Sequence, residues 1–343
     1  MNLKQLAAHL GLSQTTVSRA LNGYPEVSEE TRKRVQQAAD QHNYRPNTRA
    51  KALATGRAMA IGHVIPLSSR HEMMNPIFGD FISGAGESYS NAGYDMVLSL
   101  VADKEQSSAY HEMVAKRNVD GIVLHAPEMR DPRITLLQKI GLPFAVHGRA
   151  TEITTPYSWL DVNNRSAFQR ATDFLLDLGH RRICLVNGQE NMDFAFRRRR
   201  GYEAALTARG VEIDPQLLFA DEMTEVYGYE TVRRTQRLDD PPTAYLVSSI
   251  IAAFGVRRAI EESELVMGRD ISVITHDDDL SYLRNGADVP VFTATRSSVR
   301  EAGRKLAQLL ITQIETPGSP PLTELLEAEL TVGRSTGPAP NRT

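Results

Sequence analysis

Three observations predict a small helix-turn-helix head followed by an α/β body built in two lobes. The first 22 residues read as two short amphipathic helices interrupted at Gly11. From Ala60 onward short apolar strands alternate with amphipathic helices, which is the pattern of parallel sheets covered on both faces. Charge divides at the same place. Residues 1–58 hold nine Lys or Arg against four Asp or Glu (+5), and the remainder holds 30 against 38 (−8).

In the head, Leu3, Leu6, Ala7 and Leu10 recur at helical spacing. Ser13 is placed to cap a second helix, whose inner face carries Val17, Ala20 and Leu21. The opposite face carries Gln14, Thr15, Ser18, Arg19 and Asn22, with hydrogen-bonding groups, one cation and no acid. Such a face suits the major groove of DNA, where Arg reads guanine and Gln reads adenine. An ordinary solvated helix shares that spacing, so the face alone does not decide. A third helix is expected from its cap Ser28, with Glu29 and Glu30 in the first turn where the helix dipole favours acids. It is expected to run through Val35, Ala38 and Ala39 to Tyr44 and to stop before Pro46. The following stretch, Asn47 to Gly56, is too short for a stable isolated helix.

Composition excludes several classes. At 41% hydrophobic and 24% charged residues the chain is of globular type, and no apolar run approaches the ~20 residues of a membrane helix. The start is amphipathic rather than a basic segment leading into an apolar one, so no signal peptide and a cytoplasmic location are expected. The single cysteine, Cys184, rules out an internal disulfide and falls in an apolar strand. No Walker loop, GxGxxG or GxSxG elbow occurs, and the nine histidines form no HxH or HExxH set, so neither a metal nor a cofactor is expected.

In the body, strands are predicted over 60–66, 95–100, 121–124, 144–147, 183–187, 244–248 and 271–275. Helices are predicted over 78–92, 107–117, 166–178, 198–209, 227–237, 252–262 and 299–315. Ligands of open parallel sheets bind outside the carboxyl ends of the strands. His147-Gly148-Arg149, Ser248-Ser249 and the acidic run at Asp277 lie there, with Arg198 and Phe78 at helix starts. Four arginines in a row, Arg197 to Arg200, point about 100° apart around a helix. One or two can therefore face a cleft, and the others should be solvated or paired. Asp277, Asp278 and Asp279 leave a strand in succession and do not converge on one metal.

Several stretches resemble the LacI/GalR family of bacterial transcription regulators. They are Thr16-Val17-Ser18-Arg19-Ala20-Leu21-Asn22, Asn43-Tyr44-Arg45-Pro46-Asn47 and Ala52-Leu53-Ala54-Thr55-Gly56 in the head. In the body they are Asn75-Pro76-Ile77-Phe78, Leu178-Gly179-His180-Arg181-Arg182-Ile183 and Gly201-Tyr202-Glu203-Ala204-Ala205-Leu206. The resemblance implies a body like a periplasmic sugar-binding protein, with two Rossmann-like lobes, three crossovers and a ligand cleft between them. It implies a DNA-binding domain over 1–46, a hinge helix and linker over 47–59, and a first lobe of 60–160 plus 291–322. A second lobe of 161–290 plus 323–336 follows, and residues 337–343 are expected to be a disordered tail.

By the same resemblance Gln14, Thr15 and Arg19 read bases, while Ser13, Ser18, Asn22 and Tyr44 hold the DNA backbone. Leu53, paired with its copy in a homodimer, wedges into the minor groove of a near-palindromic operator. Arg198 and Asp277 align with the family's effector contacts, an Arg and a carboxylate that can chelate adjacent sugar hydroxyls. Phe78, Arg149 and Ser249 join them as candidates. Two departures matter: Ser249-Ile250 stands where relatives often carry Asn-Asp, and Asn163-Asn164 near Asp161 stands for a frequent Asp-Asn pair. The stretches Pro143 to Arg149 and Met192 to Tyr202 are similar to regulators of α-glucoside uptake operons. The expected function is a ligand-responsive repressor, not an enzyme and not associated with a membrane. The rival is a sugar-binding protein or an enzyme acting on the same ligand, and an enzyme would need a positioned acid–base pair.

Overall fold

The computed structural model describes residues 1–21, 23–42, 44, 56–66 and 76–340. Asn22, Leu53 and most of the expected hinge lie outside the described residues. Two compact units emerge, a head ending at Met59 and a body beginning at Ala60.

The head holds α1 (Leu3–Leu10), α2 (Gln14–Leu21) and α3 (Glu29–Gln41). Asn2 and Gln5 cap α1 reciprocally, and Gly11 ends it in the left-handed conformation that glycine adopts without strain. Ser13 caps α2, accepting from the Thr16 N–H at 3.0 Å. Leu6, Val17 and Val35 are fully buried and join the three helices into one core with Ala7, Ala20 and Ala38. The third helix ends at Gln41 rather than Tyr44. The Tyr44 N–H turns back to the Ala39 carbonyl at 2.8 Å, closing the last turn, and its ring packs on the head core.

The body holds two six-stranded sheets. The first contains β1 (Ala60–Pro66), β2 (Asp95–Val101), β3 (Gly121–His125), β4 (Phe144–His147), β5 (Ser158–Val162) and β11 (Thr323–Leu326), in the order β2-β1-β3-β4-β5-β11. All its pairs are parallel. The second contains β6 (Ile183–Asn187), β7 (Leu218–Ala220), β8 (Ala244–Val247), β9 (Ser272–Asp277), β10 (Thr293–Arg296) and β12 (Glu329–Thr331), in the order β7-β6-β8-β9-β10-β12. Only β12, against β10, is antiparallel. The two sheets thus repeat one doubly wound topology.

Helices cover the sheets: α4 (Pro76–Ala92), α5 (Gln106–Lys116), α6 (Pro132–Ile140), α7 (Asn164–Asp177), α8 (Asp193–Ala208), α9 (Glu225–Thr235), α10 (Ile250–Glu262) and α11 (Val299–Glu315). The chain changes lobe three times: between β5 and α7, between β10 and α11, and between β11 and β12. The boundaries expected at 291 and 323 are therefore each one strand early. Strand β10 completes the second sheet, and β11 completes the first. The tail also differs from expectation. Gly337 bonds to Ser272 and His180, and the Ala339 N–H bonds to the Leu178 carbonyl at 2.8 Å, so Gly337 to Pro340 is docked on the second lobe.

One close contact fixes the helix that carries Arg198. A Cβ added at Gly201 would lie 2.2 Å from the Arg165 carbonyl oxygen and 2.9 Å from the Gln169 nitrogen, both backbone atoms of α7. Gly201→Ala must push α8 off α7 and should destabilise the second lobe by about 1–3 kcal/mol. A urea midpoint equal to that of the parent protein would contradict this.

Candidate functional site

The head presents α2 outward. Gln14, Thr15 and Arg19 are exposed, as is Ser13, while Ser18 is half-buried and the opposite positions Val17 and Ala20 are sealed in the core. Tyr44 is half-buried, and burial raises its phenol above the ordinary value.

In the body, the carboxyl ends of both sheets face one cleft, and its centre is Arg198. This side chain is 6% exposed. Its Nε donates to the Asn164 Oδ1 at 2.8 Å and its Nη1 to the Ser248 carbonyl. Phe168 and Phe194 flank the guanidinium, each ring centroid 5.0 Å away. Burial lowers its pKa to about 10, against the pull of Asp278 and Asp161. The Nη2 group has no hydrogen-bond partner among the described residues.

Asp278, rather than Asp277, completes this centre. Asp277 is the last residue of β9, and Asp278 is the first beyond it. Asp278 is directed to the cleft, where its Oδ1 lies 3.5 Å from His276 Nε2 and its charge acts on Arg198 and His147. Burial works against the Asp278 carboxylate, but His276, Arg198 and His147 together hold it below the ordinary carboxylate range. Asp277 faces the other way. It accepts from the Asp279 N–H at 2.9 Å and lines another cavity between the lobes, of about 500 Å3, with Asp80, Arg296 and Arg300 but not Arg198. Burial raises its pKa.

The other candidates divide. Arg149 donates from Nε to Asp161 Oδ2 at 2.8 Å and stacks 4.8 Å above Trp159, beside a cavity of about 390 Å3 that Arg197 also lines. Asp161 in turn accepts from Asn164 at 3.3 Å, which ties Arg149 to the Arg198 centre. Phe78 lies edge-on to His125 with centroids 5.3 Å apart on the first-lobe wall. Ser249 does not reach the cleft: it is fully buried, and its Oγ caps α10 by accepting from the Ile251 N–H at 3.2 Å. The polar group in that slot is Ser248, whose carbonyl holds Arg198 and whose Oγ donates to Asn187 at 2.7 Å. Likewise Asn163 caps α7, and Asn164 is the cleft residue. The remaining arginines of the run are paired, Arg197 with Asp193, Arg199 with Glu190 and Glu203, and Arg200 with Glu203.

The sequence reading did not single out His63 or His125, and it placed His147 at a strand end without making it a ligand contact. His147, at the end of β4, faces Asp278 across the cleft, and burial lowers its pKa to about 4. His125 and His63 continue the same wall, their ring nitrogens 2.9 Å apart. Away from the cleft centre the lobes are joined at two further places. The Thr151 N–H donates to Asp193 at 2.7 Å, and the Ser281 N–H donates to Asp80 at 2.8 Å.

A basic helix-turn-helix head and a two-lobed sheet body with a polar cleft match known proteins throughout. The profile of bacterial regulatory proteins of the lacI family matches residues 2–47, and that of the periplasmic binding protein-like domain matches residues 172–336. The HTH-type transcriptional regulator AglR of Rhizobium meliloti (strain 1021) is 44% identical over 343 residues, covering 100% of this chain and 96% of the relative. The chain belongs to the LacI family. RafR of Escherichia coli, also an HTH-type transcriptional regulator, is 34% identical over 93% of this chain and 94% of its own length. Among solved structures, the transcriptional regulator CelR–cellobiose complex superposes with a TM-score of 0.72 at 27% identity, covering 97% of this chain and 99% of that one. The lac repressor dimer bound to operator shares the fold, with a TM-score of 0.81 at 23% identity over 97% of this chain and 98% of that one. This LacI-family chain is thus a ligand-responsive, DNA-binding transcriptional regulator, and the relatives are named as regulators rather than enzymes. Among the described residues, no helix is long and apolar enough to cross a membrane.

Proposed function

We propose that the chain represses an operon for uptake or breakdown of an α-glucoside, and that binding of that sugar in the cleft releases the DNA. The observation that carries the sugar reading is the chemistry around Arg198. The Arg198 guanidinium lies between two apolar rings, and the nearby Asp278 carboxylate offsets its charge. Such a set suits an uncharged ligand rich in hydroxyls, which can accept from one group and donate to the other. The regulator solved with cellobiose supports a disaccharide. The α-glucoside class is suggested by the resemblance of the Pro143 to Arg149 and Met192 to Tyr202 stretches to regulators of α-glucoside uptake operons, and the full-length likeness to AglR supports the regulator role.

Two copies bind a near-palindromic operator, with Gln14, Thr15 and Arg19 on the bases, Ser13, Ser18, Asn22 and Tyr44 on the backbone, and Leu53 in the minor groove. The edge strand β2 exposes Leu98 and Leu100, as a homodimer contact would require. Effector binding changes the lobe angle, and the hinges lose the packing that a short helix depends on.

The deciding experiment is a thermal-shift screen against mono- and disaccharides, followed by operator release with any stabilising sugar. Saturable stabilisation by an α-glucoside with release of DNA is the expected result, and no shift with any sugar refutes the effector reading. For the head, Arg19→Ala should cost about 1–3 kcal/mol of operator binding if the side chain makes a bidentate base contact. Unchanged discrimination between operator and random DNA would remove Arg19 from that role.

A further inference from the structure

We propose that Tyr89, His63 and His125 form a hydrogen-bond relay that fixes the tautomer of His125 and presents its Nδ1–H to the effector as a donor from the first lobe. The inference rests on the cleft being the effector site, and it adds residues that the Arg198 centre does not include.

The relay begins at a sealed end. Tyr89, on α4, is 1% exposed, and its hydroxyl lies 3.1 Å from His63 Nε2, the only partner it has among the described residues. His63, on β1, is fully buried, and its Nδ1 lies 2.9 Å from His125 Nε2. Both imidazoles are neutral, since burial drives His63 down to about 3 and His125 well below the ordinary histidine value. A neutral imidazole has one donor and one acceptor nitrogen, so one bond dictates the next.

The direction is settled at the phenol. Its single hydrogen has one acceptor within reach, His63 Nε2, and the reverse arrangement would bury an O–H with nothing to bond. His63 Nε2 therefore accepts, and the His63 proton sits on Nδ1 and donates to His125 Nε2. The His125 proton is left on Nδ1. That nitrogen has no protein partner among the described residues and is not among their buried unpaired atoms, so it opens to the cleft at the carboxyl end of β3. Phe78 and Phe81 stand edge-on to the ring at 5.3 and 5.0 Å and hold its plane.

The consequence is chemical. The first lobe offers a fixed neutral donor, and the second lobe offers the Asp278 carboxylate and the Arg198 guanidinium. A ring hydroxyl or ring oxygen that accepts from His125 fits this wall, and a group that could only donate there does not. Tyr89 and His63 are positioning residues, because neither reaches the ligand. Free imidazole in water favours the Nε2–H form, so the Nδ1–H form at two linked histidines is a distinctive signature.

The test uses the full chain labelled with 15N-histidine, and the sugar that stabilises it in the thermal-shift screen. Nitrogen shifts should place the protons of both His63 and His125 on Nδ1 in the parent protein. Tyr89→Phe keeps the shape but removes the anchoring hydrogen. It should lower sugar affinity at least tenfold, leave sugar-free operator affinity unchanged, and move the His125 proton off Nδ1. His125→Asn, whose amide nitrogen occupies the place of Nδ1, should retain more affinity than His125→Ala. A proton found on His125 Nε2 in the parent protein overturns the relay, as does Tyr89→Phe binding the sugar like the parent. If no sugar binds the parent protein, the effector reading falls, and the nitrogen shifts still decide the relay by themselves.

Discussion

Asp278→Asn should weaken effector binding by one to two orders of magnitude while operator binding without effector stays as it was. Asp278 shares the cleft with Arg198, His276 and His147, and its side chain keeps 14% of its surface open. Hydrogen bonds to charged groups are worth about 1.5–3 kcal/mol, which is roughly 10- to 150-fold in affinity. The amide also removes one of the two charges that offset the burial of Arg198, so some loss of second-lobe stability should accompany it. Asp277→Asn is the control next door. Asp277 looks into the cavity lined by Asp80 and Arg300 and holds the Asp279 N–H, so its loss should change effector affinity less than threefold. Calorimetric titration of both variants with the same sugar separates them. A larger loss for Asp277→Asn would mean that Asp277 makes the contact and that the orientation of the acidic run has been misjudged.

That acidic run shows where sequence reading reaches its limit. Asp277 ends β9 and Asp278 lies just beyond it, and which of the two reaches the cleft depends on where α8 delivers Arg198, which no local pattern carries. The repetitive parts of the body were legible because their signals are local. All seven strands expected from apolar runs are present, and α11 runs from Val299 to Glu315 as its periodicity predicts. Helix starts were read late for a physical reason. The first turns of α7, α9 and α10 begin two residues before the amphipathic stripe, just after caps at Asn163, Thr224 and Ser249. The start of α8 was missed by five residues because its cap, Met192, makes no side-chain cap bond.

The strands that escaped are short or polar. β10 reads Thr-Ala-Thr-Arg, and β11 exists only because it pairs with β5, more than 150 residues away in sequence. Those two strands set the lobe boundaries, so the boundaries were misplaced with them. The histidine wall was illegible for the same reason, since His63 and His125 are 62 residues apart and meet only through the pairing of β1 with β3.

The same histidines should make the body acid-labile while leaving its effector affinity intact. Burial lowers His63 to about 3 and His147 to about 4, whereas an unfolded chain titrates its histidines near 6.5. A base with a depressed folded pKa contributes its full stability above the unfolded value and loses it as pH falls toward the folded one. The window therefore runs from about pH 6.5 down to about 4 for His147 and about 3 for His63. At pH 5 the unfolded state has gained the proton and the folded state has not, so His63 alone removes about 2 kcal/mol. His147 acts in the same direction, and the first lobe should lose up to about 4 kcal/mol between pH 7.5 and 5. Asp278, held below the ordinary carboxylate range, sets in only at lower pH. At roughly 2–4 °C per kcal/mol for a unit of this size, the melting temperature should fall by about 8–16 °C. A melting temperature that stays level from pH 7 to 5 would show that these imidazoles are not held neutral. Effector affinity should behave differently, because over that range the folded cleft keeps His125 and His147 uncharged and Asp278 ionised. A titration at pH 5.5 should therefore return nearly the affinity found at pH 7.5. A steep loss of affinity there, in protein still folded, would mean that a cleft histidine takes up a proton in the native state.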